Sequence, residues 1–148
     1  MLLVARFRLL IATLWVGSLW TIGYVVAPTL FTTLYDKVLA GTIAGSLFHI
    51  EAWLSVGCAM VLTGFLLPIK REDSAKITLL RLIVVMLICT VIGYFVLHPF
   101  MASLRASAGP AGVMASDAKM QFGILHGISS LFYLIESLLG IALILKLR

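Results

Sequence analysis

The sequence predicts an all-α integral membrane protein, a bundle of four transmembrane helices with both termini cytoplasmic. Three observations carry this expectation. First, 62% of the 148 residues are apolar and only 11% are charged, and the mean hydropathy is +1.16. A soluble domain carries about a quarter charged residues, and a chain with so few cannot cover a water-facing surface. Second, the apolar residues fall into four long runs. Third, most of the basic residues lie between or beyond those runs, where membrane topology needs them.

The runs cover residues 9–35, 38–69, 82–104 and 120–145, interrupted only by Glu51 and Glu136. A spanning helix needs about 20 apolar residues. Backbone groups in lipid must be satisfied within the segment, so runs of this length form helices. The whole chain, residues 1–148, reads as one domain with helices over about 6–28, 38–67, 76–101 and 117–145. Arg6 and Arg8 precede the first run in the manner of a signal peptide, but the run far exceeds an h-region of about 7–15 residues. The small-residue site Val25-Val26-Ala27 is followed by Pro28, so the first run is expected to be retained. Pro28 ends or kinks helix one. Asp36 can cap a long second helix, which Pro68 ends. Pro99 marks the end or a kink of helix three. Gly109-Pro110 and Gly112 make residues 106–116 the longest loop, and Ser116 or Asp117 caps helix four.

Orientation follows from the cations. Arg6, Arg8, Lys70, Arg71, Lys76, Arg81, Lys146 and Arg148 fall on one side, against Lys37, Arg105 and Lys119 on the other. The richer side belongs in the cytoplasm. With the cations so placed, the net charge of +5 needs no nucleic acid as a partner, and no basic patch supports one. Cys58 and Cys89 lie inside apolar runs with no CxxC. They read as small hydrophobes, without disulfide or zinc site.

Small and weakly polar residues mark helix contacts in lipid. Helix four carries such a stripe at spacings of three and four: His126, Ser129, Ser130, Tyr133, Ser137 and Gly140. Helix one carries Thr13, Gly17, Thr21, Tyr24 and Pro28, and Gly41 and Gly45 form a GxxxG pair. The stripes read either as packing faces or as the lining of a solute path. Tyr35, Tyr94 and Trp53 read as interfacial aromatics.

Two constellations could carry chemistry. The topology places His49, His98 and His126 at similar depth on the side away from the cytoplasm, with Glu51, Met101 and Tyr24. Imidazole and thioether groups of His49, His98, Met101 and His126 could bind copper or a haem iron. His49 and Glu51 are two residues apart, so a regular helix turns them to different sides. The other candidate is Glu136, near the middle of helix four with no Lys or Arg at comparable depth. A carboxylate there costs several kcal/mol and belongs on the bundle interior. It reads as a neutral acid hydrogen-bonded to Ser or Thr on a neighbouring helix, or as a proton or cation coupling site. Tyr24, Glu51, His126, Tyr133 and Glu136 are the ligand or coupling candidates. No GxSxG, Walker loop or HExxH is present, and the chain reads as non-enzymatic.

The stretches LWVGSLWTIGYVVAPTLF (residues 14–31), AGTIAGSLF (40–48), MASLRA (101–106) and FGILHGISSLFYLIESLLG (122–140) resemble the transmembrane protein 205-like domain of unknown function. Matching positions include Trp15, Gly17, Pro28, Phe31, Gly41, Arg105, Phe122 and His126. The resemblance implies a small four-helix protein of the bacterial inner membrane and supplies no reaction. A shorter likeness, Trp-x-Gly in a first helix with a proline at its outer end, is to the copper-resistance D family of membrane domains and transfers no copper function. The expected function is a small transport or permeation-related module. A metal- or haem-binding protein and a non-catalytic structural or assembly partner are the alternatives. The expected partner is the lipid bilayer, with a homo-oligomer or a second membrane protein compatible with the helix faces.

The topology has a direct test in a background lacking Cys58 and Cys89. Single cysteines introduced at residues 70–76 should resist an impermeant thiol reagent in intact cells, and those at 106–116 should react. The reverse pattern would invert the orientation.

Overall fold

Four apolar runs in a solvent without hydrogen-bonding partners have to close their backbone bonds internally. In a computed structural model, which describes residues 2–68, 74–109 and 111–147, they do so as four long helices: α1 (Leu2–Thr33), α2 (Lys37–Leu66), α3 (Ser74–Ser107) and α4 (Lys119–Leu147). Each is long and apolar enough to cross a membrane. Among the described residues there is no strand. The helices close a ring in which α1 packs against α2 and α4, and α3 packs against the same two. Thus α1 and α3 lie on one diagonal of the bundle, α2 and α4 on the other.

The helix ends show which local signals operate. The Asp36 carboxylate accepts from the amides of Val38 (2.8 Å) and Leu39 (3.0 Å), so α2 takes its long form, with Gly41 and Gly45 inside it. At its other end the buried Lys76 ammonium donates to Leu67 O (3.0 Å), a cation on the negative end of a helix. Lys70, Arg71, Pro110 and Arg148 lie outside the described residues. Gly109 and Gly112, at φ 69° and 80°, take left-handed conformations that other residues rarely adopt. They turn the chain into a short 3-10 segment, Val113–Ala115. Ser116 Oγ then accepts from the Ala118 amide (3.3 Å) ahead of α4.

Pro28 and Pro99 do not end their helices, contrary to the boundaries near residues 28 and 101. In both, the hydrogen bonding first widens to a π-helical turn, Thr21–Val26 in α1 and Val91–Val96 in α3. The amides of Ala27 and Leu97 reach back five residues, to Ile22 O and Ile92 O. The α-helix then resumes with the proline in its first turn, where a missing N–H costs least. The two turns fall on repeated sequence. Ile22-Gly23-Tyr24 is followed by Val26 and Pro28, and Ile92-Gly93-Tyr94 by Val96 and Pro99. Their partner helices repeat as well: Ser46-Leu47-Phe48 precedes Glu51, and Ser130-Leu131-Phe132 precedes Glu136. Each half of the chain is therefore a hairpin of one proline-bearing helix and one acid-bearing helix, a repeat of parallel type.

A side chain also enters one of these turns. Tyr133 Oη on α4 donates to Leu19 O (2.6 Å), the carbonyl one turn before the Gly23 amide. In a regular α-helix those two backbone groups would bond each other. The phenol engages the carbonyl of that pair, an identifiable cause for the irregular turn. Gly23 is required for this, because a Cβ there would run into the Tyr133 ring.

The apolar core sits towards the end that carries the termini. Trp15, Leu19, Leu62, Leu66, Ile83, Met86 and Leu143 are all but inaccessible. Gly140 lets α1 and α4 approach closely, since a Cβ there would lie 2.8 Å from Val16 Cγ2. The buried face of α1 is Ala12, Trp15, Val16 and Leu19. The stripe Thr13, Gly17, Thr21, Tyr24 and Pro28 is exposed instead. Size and an available hydroxyl partner for the Trp15 indole outweighed the small-residue pattern. On α4, Tyr133, Ser137 and Gly140 pack inward as their spacing predicts, while His126 and Ser130 are exposed.

Two glycines on α1 separate these effects. Gly23→Ala should lower the melting temperature in detergent, with a cost of about 1–3 kcal/mol for overpacking. Gly17→Ala, where a Cβ meets nothing within 4 Å, should leave it unchanged or slightly raised.

Candidate functional site

The two acids of the repeat meet at the middle of the bundle. Glu51 on α2 and Glu136 on α4 are each 2% exposed, on diagonally opposite helices. The other diagonal reaches Glu136 directly and Glu51 through Ser55 of its own helix. From α3, the Thr90 hydroxyl donates to Glu136 Oε1 (2.7 Å). From α1, Trp15 Nε1 donates to Ser55 Oγ (2.7 Å), and Ser55 Oγ donates to Glu51 Oε1 (3.3 Å). Ser55 follows Glu51 by one helical turn, so its hydroxyl shares the carboxyl's face. Trp15 and Ser55 also lie beside the Glu136 carboxyl, so one serine abuts both acids. Ser18 lies next to Glu51, although its hydroxyl is donated to Trp15 O (2.8 Å). Glu51 Oε2 is buried and has no hydrogen-bond partner. Among the described residues, the groups that donate to the two carboxyls are the hydroxyls of Ser55 and Thr90, with no Lys or Arg.

Around this centre sits an aromatic layer. Tyr24 Oη donates to Ser137 Oγ (3.1 Å), and Ser137 Oγ donates to Tyr133 O (2.8 Å). The Tyr133 ring meets Tyr24 and Phe48 edge to face. Tyr94, the repeat counterpart of Tyr24, pairs with His49 Nδ1 (2.8 Å) and stacks on His98 at 4.5 Å between centroids. Each of these tyrosines thus reaches from its own hairpin to the acid-bearing helix of the other.

Of the sequence-derived candidates, Glu51, Glu136, Tyr24 and Tyr133 converge on this centre, and Glu136 takes the inward position and hydroxyl partner expected of it. His49 is exposed while Glu51 is buried, as their spacing requires. The set His49, His98, Met101 and His126 is not gathered into a ligand shell. Among the described residues no three His, Cys, Asp or Glu side chains form a metal-binding group. His49 and His98 both turn to Tyr94, whereas His126 lies parallel to Phe122 of its own helix, at 6.0 Å. Met101 is buried near the end of α3, and Tyr94 is half-buried, so it is no simple interfacial aromatic. Cys58 and Cys89 are free and buried. Trp15, Ser55 and Thr90 are site residues that sequence reasoning missed. The spacing of Ser55 from Glu51 was a usable signal; Thr90 had none beyond being a hydroxyl deep in an apolar run.

A ring of four apolar helices closed around buried carboxyls defines the chain as a multi-pass helical membrane protein. It belongs to the family described as Domain of unknown function (DUF4149), whose profile matches residues 10–110. The matched region holds α1 from residue 10 onward, α2, α3 and Glu51; α4 with Tyr133 and Glu136 lies beyond it. Neither a curated protein nor a solved structure matches the chain.

Removing the shared hydroxyl tests the network. Ser55→Ala leaves the Trp15 indole without its acceptor and Glu51 without its donor, and should cost about 1–3 kcal/mol of stability. Ser103→Ala, on an exposed hydroxyl bonded only to its own helix, should stay within about 0.5 kcal/mol. Thermal unfolding in a mild detergent measures both.

Proposed function

We propose that this chain is a small, non-enzymatic transport module that passes protons, or a small monovalent cation in their place, through the Glu51–Glu136 pair. One observation carries the reading. Two carboxyls lie at the bundle centre, each 2% exposed, with one oxygen unpartnered and only neutral donors around them. An ionised carboxylate at that depth costs several kcal/mol, and intramembrane acids of this kind mark ion paths by default. Two adjacent acids without a basic partner are cheapest when they hold a proton or a cation between them. Hydroxyls of Ser55 and Thr90 can both donate and accept, so they can relay a proton as well as orient a carboxyl. The parallel hairpin repeat and the interrupted helices support the same reading, since transporter sites sit at the interface of such repeats.

The cellular setting belongs to the same proposal. The distribution of Lys and Arg favours cytoplasmic termini, and the resemblance to the transmembrane protein 205-like family favours a bacterial inner membrane. The metal-binding alternative finds no group of three His, Cys, Asp or Glu side chains among the described residues.

Proteoliposomes loaded with a pH-sensitive dye and driven by a potassium diffusion potential test this. Wild-type protein should acidify the lumen above the rate of empty vesicles. Glu136→Gln and Glu51→Gln keep shape and hydrogen bonding; each should fold normally and lower the rate about tenfold or more. Rates equal to empty vesicles under both proton and sodium gradients, or glutamine variants as active as wild type, would overturn the reading. The bundle would then hold its acids as neutral hydrogen-bonded groups.

A further inference from the structure

The end of the bundle opposite the termini brings together Arg105 and His98 of α3 and His126 of α4. Arg105 lies in the last turn of α3. Its guanidinium sits 5.1 Å from the centroid of the Phe122 ring on α4. On the other side it rests against α2 at Gly45. A methyl group on that glycine would stand 3.3 Å from Arg105 Nη1 and 3.7 Å from His98 Nε2. The missing side chain of Gly45 thus makes the space in which guanidinium and imidazole face one another. His126 follows Phe122 by one turn, its ring parallel to the phenyl, and Arg105 is near enough for its charge to act on both imidazoles.

Two features are unexplained by packing. His98 Nε2 is buried and has no hydrogen-bond partner. Among the described residues, no carboxylate is paired with Arg105. Asp36, the acid at the start of α2, is committed to the helix cap through Val38 and Leu39. A cation near a helix C-terminus and over an aromatic ring is favourable in itself. Those contacts account for the position of Arg105. They leave the orphaned imidazole nitrogen, and the like charge accumulated around it, without a reason.

An oxyanion supplies one. The planar fork of an arginine matches two oxygens of a phosphate group and forms short charge-assisted bonds to it. An imidazole N–H aimed into the same space adds a third donor. The cluster lies about 12 Å along α2 from Lys37, between the bundle centre and the end opposite the termini. It is separate from the acid pair, because Gly45 and Glu51 lie about 9 Å apart along α2. We infer that Arg105 and His98, with His126 at the rim, form a phosphate-type oxyanion site between α2, α3 and α4, open to the side opposite the termini. Free phosphate and the headgroup of an anionic phospholipid share this chemistry.

Two binding measurements distinguish the sources. In nanodiscs of phosphatidylcholine, inorganic phosphate is titrated calorimetrically at fixed ionic strength. In neutral detergent, native mass spectrometry compares retained phosphatidylglycerol with phosphatidylcholine. Wild-type protein should bind in at least one arm, and the arm names the source. Losing a charged bidentate contact should weaken that binding about tenfold or more in Arg105→Gln. His98→Gln should weaken it by a smaller factor. Lys119→Gln, which removes an exposed cation at the start of α4, should leave it unchanged. Should Arg105→Gln fail to fold, His98→Gln against Lys119→Gln decides. The site is overturned by no binding in either arm, by wild-type affinity in the variants that fold, or by an equal loss in Lys119→Gln, which would mean diffuse charge attraction only.

Discussion

Two carboxyl groups in the interior of an apolar bundle set the terms for everything packed around them. Neither Glu51 nor Glu136 reaches water. Each unsatisfied polar group at such depth costs more than any one apolar contact returns. The bundle answers with Thr90 of the opposite diagonal for Glu136 and, for Glu51, with Ser55 of its own helix held by Trp15 of the opposite diagonal. That requirement fixes the rotation of all four helices at once. α1 has to turn Trp15 inward, α2 has to present residues 51 and 55 together, α3 has to bring Thr90 to α4, and α4 has to aim Glu136 at the axis. The apolar core from Trp15 to Leu143 then fills the end that carries the termini.

The proline-bearing helices show the same rule acting on the backbone. A proline inside a span frees carbonyls that lipid cannot satisfy. In α1 the Tyr133 phenol of α4 donates to the Leu19 carbonyl beside the irregular turn. In α3 the corresponding Gly93 carbonyl accepts from Ser129 of α4 (2.9 Å). Both irregular turns are thus completed by side chains of the same helix, and α4 acts as the common strut. Tyr24 and Tyr94, one residue after each glycine, cross to the acid-bearing helix of the opposite hairpin. The two hairpins are therefore joined by polar contacts near their centre, in a medium where apolar contact alone gives little preference for one register over another.

The architecture was legible because hydropathy and length leave few alternatives in lipid. The Asp36 cap and the inward position of Glu136 followed from local chemistry. Of the two outcomes expected at Pro28 and Pro99, an end or a kink, the helices take an irregular turn and run on, for a definite reason. Proline rules describe what a residue cannot donate, and they do not register a neighbouring helix that supplies the missing group. The exposed stripe on α1 was misread for a related one. Small residues at spacings of three and four show where a close approach is allowed, whereas Trp15 with its N–H shows where one is needed. The scattered histidines failed as a set because equal depth along separate helices says nothing of azimuth.

Depth and azimuth together also explain why the acid pair and the basic cluster coexist. Along α2, Gly45 faces Arg105 and His98, while Glu51, less than two turns further in, faces the axis. Between them lie Tyr94 and Tyr133, whose hydroxyls are engaged with His49 and the α1 backbone. A fixed positive field at the mouth of a bundle opposes the entry of cations. An oxyanion held by Arg105 would cancel part of that field without touching the acids. The repeat does not extend to this level, since the residue before Pro99 is His98 while the residue before Pro28 is Ala27. Arg105, His98 and His126 all belong to the second hairpin, so the two halves of the repeat, alike in their turns and acids, differ in the charge they carry at this end.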